Sequence, residues 1–219
     1  MKNHIRIEDI NDKGIIVINN IFDNDEFSKI NSEINKLIQN KRSKNGKIVL
    51  IDDDLKESLL FELYKKNKIK TVVNEIFNHN KLQLDIDNNY KVLRVLTGNN
   101  SDNDNQNYHF DGYYLTAMLP ILIPKEKDNF NGDFLIVPNI RHVYKNKKIN
   151  LLIKYFFQNK IAKIFYKTIF FNKIFKPIKI SPQENSLILF KGFESLHGSE
   201  MLGKNRTRIT LLYHFNKMK

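Results

Sequence analysis

The sequence predicts a mainly β fold with flanking helices, of the α+β class. Apolar runs recur along the chain and are bounded by turn residues; Tyr108–Leu122 is long enough for a pair of strands, and Phe134–Pro138 for one short strand. An amphipathic helical pattern lies near the N-terminus, and a second segment of helical character, 144–180, is inserted between strands. A length of 219 residues suits one domain with a substantial core. We therefore expect a single domain over residues 1–219.

The first predicted elements are a strand, a helix cap and an amphipathic helix, all within Gly14–Leu37. A later run, Tyr90–Leu96, has the apolar composition of a strand but contains Arg94. A charged side chain is costly to bury without a partner, so Arg94 faces either a functional pocket or solvent. The sequence leaves both positions open.

The strands of the second half follow from composition and turn residues. Residues 108–122 run apolar and aromatic, as a buried pair of strands would. The turn at 131–133 (Asn-Gly-Asp) then leads into the next short strand. Farther along, a strand at 186–190 is followed by a loop, then by His197, a glycine turn at Gly203 and a final strand.

Alternation in the final strand sorts its side chains onto two faces. One face carries Arg206, Arg208 and Thr210. The opposite face carries Ile209, Leu211 and Tyr213. Both arginines therefore share the polar face of this strand.

Three side chains carry the ligand chemistry of a metal site. His109 and Asp111 are separated by one residue, and His197 follows Asp111 by 86 residues. Two imidazoles and one carboxylate hold non-haem Fe(II) on one face and leave the opposite positions open. An arginine beyond the second histidine could bind the carboxylate of a chelating co-substrate, because its planar guanidinium forms paired hydrogen bonds and stays charged.

This pattern resembles the Fe(II)/2-oxoglutarate-dependent oxygenases, in which His-x-Asp is followed by a long gap, a histidine and then an arginine. Residues 131–138 resemble the phytanoyl-CoA-hydroxylase-like members, whereas 182–215 resembles those and the prolyl-4-hydroxylase-like members alike. With the N-terminal elements, the resemblance covers residues 12–142 and 180–216. It implies a double-stranded β-helix, a jelly roll whose mouth holds the metal.

The resemblance also implies a reaction. His109, Asp111 and His197 would be the catalytic ligands of Fe(II), with 2-oxoglutarate as co-substrate and O2 as oxidant. A substrate C–H bond would be hydroxylated, with release of succinate and CO2. The related halogenases lack the carboxylate ligand, so Asp111 favours hydroxylation.

Further residues are candidates for the co-substrate pocket. The motif Arg208-Ile209-Thr210 matches the family's Arg-x-Ser/Thr pattern, which implies that Arg208 binds the distal carboxylate of 2-oxoglutarate and that the Thr210 hydroxyl assists. Arg206 is the alternative anchor. Arg94 would face this pocket in one of its two positions, and Tyr113 follows the first metal motif on the same side by alternation. The remaining histidines lack partners at ligand spacing, and we expect surface or structural roles for them: His4, His79, His142 and His214.

The segment 144–180, which we call the insert, is basic and aromatic. It holds ten lysines and no acidic residue. Lys160, Lys163 and Lys167 recur at helical spacing and would share one face. Three interpretations are open: a helical pair that packs its aromatics on the barrel and solvates its lysines, a lid or docking face for an anionic partner such as a carrier-bound thioester, or an interfacial segment on an anionic membrane.

Composition limits the other classes of function. The net charge is +12, but lysine supplies 30 of the 36 cationic residues and Asn and Ile are abundant, which indicates AT-rich codon usage. The sequence contains no motif typical of nucleic-acid-binding proteins, so nucleic acid is not an expected partner. The absence of cysteine excludes disulfides, zinc–thiolate sites and cysteine nucleophiles. With neither a signal peptide nor an apolar run of spanning length, we expect a cytoplasmic protein.

The sequence thus predicts an Fe(II)- and 2-oxoglutarate-dependent oxygenase acting on a small-molecule or carrier-bound substrate, for which an anionic group would suit the lysines. The alternative is a non-catalytic jelly-roll protein whose basic insert binds an anionic membrane, nucleic acid or an acidic protein. Binding of iron and 2-oxoglutarate separates the two hypotheses.

Overall fold

The computed structural model describes residues 10, 13–41, 43–58, 60, 68–79, 84–98, 107–126, 130–144 and 146–217. The strands are β1 (Ile15–Ile18), β2 (Lys47–Ile51), β3 (Leu84–Thr97), β4 (Leu115–Leu122), β5 (Phe134–Val137), β6 (Ile178–Ile180), β7 (Leu187–Phe190), β8 (Leu196–Ser199) and β9 (Thr207–Lys217). The helices are α1 (Asn24–Gln39), α2 (Asp52–Leu55), α3 (Lys68–His79), α4 (Lys147–Gln158), α5 (Lys160–Tyr166) and α6 (Ile169–Phe175).

The strands form two antiparallel sheets. The larger sheet has the order β1-β7-β4-β9-β3-β2, and the smaller has the order β6-β5-β8. A shared apolar cluster joins side chains of both sheets: Ile15, Met118, Phe134, Ile136, Ile188 and Phe190. The sheets therefore pack face to face, and the predicted jelly roll with flanking helices is confirmed.

Helices cover the outer face of the larger sheet. The helix α1 begins with a capping box, in which Glu26 N donates to Asp23 Oδ1 at 2.9 Å and Asp23 N donates to Glu26 Oε2 at 3.1 Å. Ile30 and Ile34 are fully buried and join the main core between α1, α3 and the sheet. The strand, cap and helix predicted for the N-terminal segment are therefore present.

The strand β9 separates core from pocket by alternation. Its helix-facing side chains are Ile209, Leu211, Tyr213 and Phe215. Its opposite side chains line a pocket between the sheets: Arg208, Thr210, Leu212 and His214. This separation confirms the two faces expected from period two, with one change. Arg206 precedes β9 and belongs to the turn that Gly203 opens, since Arg206 N donates to Gly203 O at 3.2 Å.

One further local prediction differs from the structure. Residues 108–111 do not form a regular strand; only His109 pairs there, through a single antiparallel bridge to His197. His197 itself lies within the short strand β8. The pairing of His109 with His197 is a single bridge, which is too short to leave a period-two pattern in the sequence.

The insert folds as the three helices α4, α5 and α6, followed by β6, which pairs with β5. Tyr166 and Phe171 are buried against Tyr108 and Phe110 of the barrel. The other aromatic side chains of the helices are not all packed, however, because Tyr155 is 74% exposed. No helix in the described part of the chain is long and apolar enough to cross a membrane.

Candidate metal centre

The two predicted histidine ligands are held as a cross-strand pair. His109 N donates to His197 O at 2.8 Å, and His197 N donates to His109 O at 3.0 Å. Their ring centroids are 4.5 Å apart, so both imidazoles project to the same side. Asp111 lies two residues beyond His109 and is fixed by its own backbone, since Asp111 N donates to Gly192 O at 2.9 Å. The fold thus brings together three residues that are distant in the sequence.

The donor atoms of these three residues are close enough to share one ion. Asp111 Oδ1 lies 3.4 Å from His197 Nε2 and 3.9 Å from His109 Nε2. All three donor atoms lie within 4.8 Å of one another. One carboxylate oxygen and two imidazole nitrogens are the donor set that suits Fe(II), so the residues fit the metal that the motif implies.

Backbone carbonyls select the tautomer of both histidines. His109 Nδ1 lies 3.0 Å from Asn107 O, and His197 Nδ1 lies 3.0 Å from Ser195 O. A carbonyl oxygen can only accept, so each Nδ1 must carry the hydrogen and donate it. Each Nε2 then presents a lone pair toward Asp111, which is the arrangement a metal ligand needs.

The second carboxylate oxygen of Asp111 accepts a hydrogen bond from a threonine hydroxyl. Thr116 Oγ1 donates to Asp111 Oδ2 at 2.5 Å. The same hydroxyl oxygen lies 2.9 Å from His214 Nδ1. Because the hydroxyl has one hydrogen, which goes to Asp111, His214 Nδ1 must donate to Thr116. This chain of hydrogen bonds orients the carboxylate and leaves Oδ1 toward the two ligand histidines.

Gly192 provides the space for that carboxylate. A Cβ atom built on Gly192 would lie 2.3 Å from Asp111 Oδ2 and 2.8 Å from Asp111 Cβ. No side chain can occupy that position unless Asp111 moves. The glycine is therefore required by the close approach of Asp111.

The electrostatics of the cluster favour metal binding at neutral pH. Burial, followed by the proximity of His197, lowers the pKa of His109 below its ordinary value. Burial would raise the pKa of Asp111, but the neighbouring histidines, His197 first, outweigh it and hold that pKa well below its usual range. Neutral imidazoles and an ionised carboxylate are the states that bind a metal ion.

An arginine lies at the far side of the same pocket. Arg208 is buried and lines the pocket together with the three candidate ligands. Its guanidinium donates to Ser199 Oγ at 3.1 Å and to the carbonyl oxygen of Gly132. Gly132 has φ of +71°, and a Cβ atom there would lie 3.1 Å from Arg208 Nη1. The turn at Gly132 therefore both allows and orients this arginine.

The other residues predicted for the pocket divide into two groups. Arg94 and Thr210 line the pocket beside Arg208. Arg206 and Tyr113 are not part of that lining within the described residues. Arg206 Nη1 instead donates to Asn131 Oδ1 at 3.1 Å, and Tyr113 stacks on His214 with ring centroids 4.9 Å apart.

Sequence reasoning missed several residues of this pocket. His214, expected to be a surface or structural residue, is buried and reaches Asp111 through Thr116. Its position could have been found by extending the alternation of Arg208 and Thr210 along the strand by two more steps. Ser199 could likewise have been found from its place two residues after a ligand. Of the remaining histidines, His142 is exposed, and His4 and the side chain of His79 lie outside the described residues.

Phenylalanine rings form the apolar wall of the site. The Phe190 ring packs edge-on against His197 with centroids 4.7 Å apart, and the Phe134 ring lies 5.9 Å from it. These rings pack against His197 and line the same pocket. His197 is only 4% exposed as a result.

Comparisons with known proteins agree with this architecture. No family model matches the sequence, and no curated protein matches it either. Solved structures do match. A prolyl 4-hydroxylase from Phytophthora capsici has a TM-score of 0.64 at 16% identity, with 97% of this chain and 62% of that chain covered. A prolyl-4-hydroxylase from Pseudomonas putida has a TM-score of 0.60 at 10% identity, with 97% of each chain covered.

A third match is HygX from Streptomyces hygroscopicus, whose structure contains nickel and 2-oxoglutarate. Its TM-score is 0.62 at 12% identity, with 97% of this chain and 86% of that chain covered. Identities this low establish the fold and leave the substrate open. The chain therefore shares the fold of these structures, and the fold that the resemblance implies is confirmed.

Proposed function

We propose that this protein is an Fe(II)- and 2-oxoglutarate-dependent oxygenase that hydroxylates a C–H bond of a small-molecule or carrier-bound substrate. The observation that carries this proposal is the cluster of His109, Asp111 and His197, whose donor atoms lie within 4.8 Å of one another. Structures with the same fold include one that binds 2-oxoglutarate, which supports the choice of co-substrate.

The residues of the cluster would hold Fe(II) on one face. The two Nε2 atoms and Asp111 Oδ1 converge. The hydrogen bond from each Nδ1 to a backbone carbonyl keeps the imidazole rings from rotating. Bound iron would supply the reaction of O2 with 2-oxoglutarate that yields succinate and CO2. The protein's own contribution would be one anionic and two neutral donors, each held in a fixed orientation.

Arg208 would bind the distal carboxylate of 2-oxoglutarate. Two of its nitrogen atoms already have oxygen partners in Gly132 and Ser199, so its position is set before the co-substrate arrives. Its pocket neighbour Thr210 offers a hydroxyl on the same strand face. An arginine in such a buried place forms stronger hydrogen bonds to a carboxylate than it would in water. Arg94, on the neighbouring strand β3, would add positive charge to this end of the pocket.

Spectroscopy of the anaerobic protein tests the proposal. When Fe(II) and 2-oxoglutarate are added together, we expect the weak visible charge-transfer band of the chelate, and we expect succinate to form once O2 is admitted. The Asp111→Ala protein should show neither. Full metal-dependent consumption of 2-oxoglutarate by that variant would contradict the assignment of the ligands.

Substrate identity can be approached by the same reaction. Succinate formation should be measured against acyl thioesters, sugars, amino acids and peptides, because a true substrate accelerates the consumption of 2-oxoglutarate. A small acidic compound that accelerates turnover would match the positive charge of Arg94 and of the insert.

A further inference from the structure

The three helices of the insert expose an unusual amount of apolar surface. Their most exposed large apolar side chains are 64% to 78% exposed: Leu151, Leu152, Tyr155, Phe156, Ile161, Ile164, Ile169, Phe170 and Ile174. Elsewhere in the described part of the chain, exposed large apolar side chains reach at most 49%. Contiguous apolar surface of this kind marks a site of interaction.

The apolar side chains lie on one side of each helix. On α4, Leu151, Leu152, Tyr155 and Phe156 recur at helical spacing, whereas Phe157 on the opposite side packs against Phe110. The helices α5 and α6 have the same arrangement. Each buries one aromatic side chain, Tyr166 or Phe171, and exposes its isoleucines on another side. Each helix therefore has one face in the barrel core and one apolar face in solvent.

An apolar cleft opens within this surface. It has a volume of about 350 Å³ and is lined by side chains of all three helices of the insert and the junction between α4 and α5. Phe156 and Ile161 belong both to the cleft and to the exposed surface. The cleft is thus accessible to apolar groups that approach the exposed face.

Lysines surround the apolar side chains, and the insert itself contains no acidic residue, although Lys179 at its end pairs with Asp133 and Glu200. Residues 144–180 contain ten lysines and neither aspartate nor glutamate. Lys160, Lys163 and Lys167 are exposed along α5, and Lys173 is exposed on α6. The partner of this surface must therefore offer apolar groups and negative charge together.

We propose that the insert docks the protein on an anionic phospholipid surface, with its apolar side chains among the acyl chains and its lysines at the headgroups. Helices of 12, 7 and 7 residues are far shorter than the roughly 20 residues that cross a bilayer, so they would lie in the interface. Lysine with aromatic and aliphatic residues is the composition of interfacial helices.

Other partners fit this surface less well. In a symmetric dimer the same patch faces itself, which would bring the lysines of two copies together without any acid in the patch to neutralise them. Nucleic acid would pair with the lysines but would give the exposed aliphatic side chains no apolar environment. A phospholipid surface satisfies both kinds of side chain.

Vesicle co-sedimentation tests the proposal with the full chain in its metal-free form. We expect wild type to bind vesicles of phosphatidylcholine and phosphatidylglycerol and to remain mostly free with phosphatidylcholine alone. Changing Lys160, Lys163 and Lys167 to Gln should weaken binding about a hundredfold, from about a factor of five per lysine. The matched control changes Lys29, Lys36 and Lys41, which are exposed near α1, to Gln, and it should bind nearly as wild type.

A second variant tests the apolar contribution. Leu152→Ser, Phe156→Ser and Ile164→Ser together should weaken binding at least tenfold, because burying even one such side chain shifts the equilibrium by about that factor. All three positions are exposed, so circular dichroism should show an unchanged fold.

Three outcomes would overturn the proposal. Wild type could stay free with anionic vesicles, the control could lose as much binding as the insert variant, or light scattering could show that the apolar variant converts a dimer to a monomer, which would assign the face to a second copy. The inference does not rest on the proposed oxygenase function, since vesicle binding needs neither iron nor 2-oxoglutarate. All of these variants should keep the charge-transfer band and uncoupled 2-oxoglutarate turnover if wild type has them.

Discussion

Thr116 Oγ1 lies 2.5 Å from Asp111 Oδ2 and donates its hydrogen to that carboxylate. The hydroxyl in turn accepts from His214, so a buried imidazole supports a candidate metal ligand through one intermediate group. This arrangement leaves a single carboxylate oxygen, Oδ1, toward the ligand histidines. Residues that hydrogen-bond to a metal ligand commonly set its orientation and the affinity of the site for the metal.

The first prediction concerns this support. Thr116→Val keeps the shape of the side chain and removes both hydrogen bonds, so the affinity for Fe(II) should fall by about 10- to 100-fold. Competition against a coloured chelator measures the affinity. The control is Thr97→Val, which also removes a threonine hydrogen bond, to Gly46 O, but outside the pocket. Equal affinities for the Thr116 variant and wild type would show that the hydroxyl has no role in orienting Asp111.

The second prediction concerns the ligands themselves. Replacing His109 or Asp111 with Ala should abolish iron binding and turnover and leave the fold intact, because both side chains contribute more to the site than to the core. Thermal unfolding and metal analysis of the purified proteins separate the two effects. His142→Ala, at an exposed position, is the matched control and should retain iron. Retention of iron by the Asp111 variant would exclude a three-residue site.

The third prediction separates the arginines. Arg208→Ala should raise the concentration of 2-oxoglutarate needed for half-maximal turnover by about two to three orders of magnitude or more, since removing one partner of a desolvated ion pair costs about 3–5 kcal/mol. Arg206→Ala should have a much smaller effect, because that guanidinium contacts Asn131 outside the pocket. The opposite ranking would move the anchor of the co-substrate to Arg206.

The fourth prediction uses the glycines. Gly192→Ala should disturb iron binding by displacing Asp111, and overpacking of this kind typically costs about 1–3 kcal/mol of stability. Gly112→Ala is a close control, because a Cβ atom at Gly112 meets no atom within 4 Å. Iron affinity and the melting temperature of both variants check the prediction. Equal iron affinities in the two proteins would show that Asp111 can shift without loss of the site.

The site was predictable wherever its residues follow a short-range pattern. His109 and Asp111 are two positions apart, and Arg208 and Thr210 share a strand face, so spacing and alternation were enough to select them. The histidine His214 continues the same face and could have been selected by the same rule. The rule failed for Arg206, which it placed on the same face as Arg208. Arg206 lies in the turn before the strand, where side chains do not alternate between two faces.

By itself, the sequence determined the class of fold, the N-terminal helix and its cap, the metal motif and the basic, aromatic character of the insert. These features depend on composition and on spacing within one element. The tertiary structure decided the rest: that Thr116 and Gly192 meet Asp111, that Ser199 meets Arg208, and that the insert turns its apolar side chains outward. Such contacts join residues far apart in the chain, and no local periodicity records which of them the packing of two sheets will bring together.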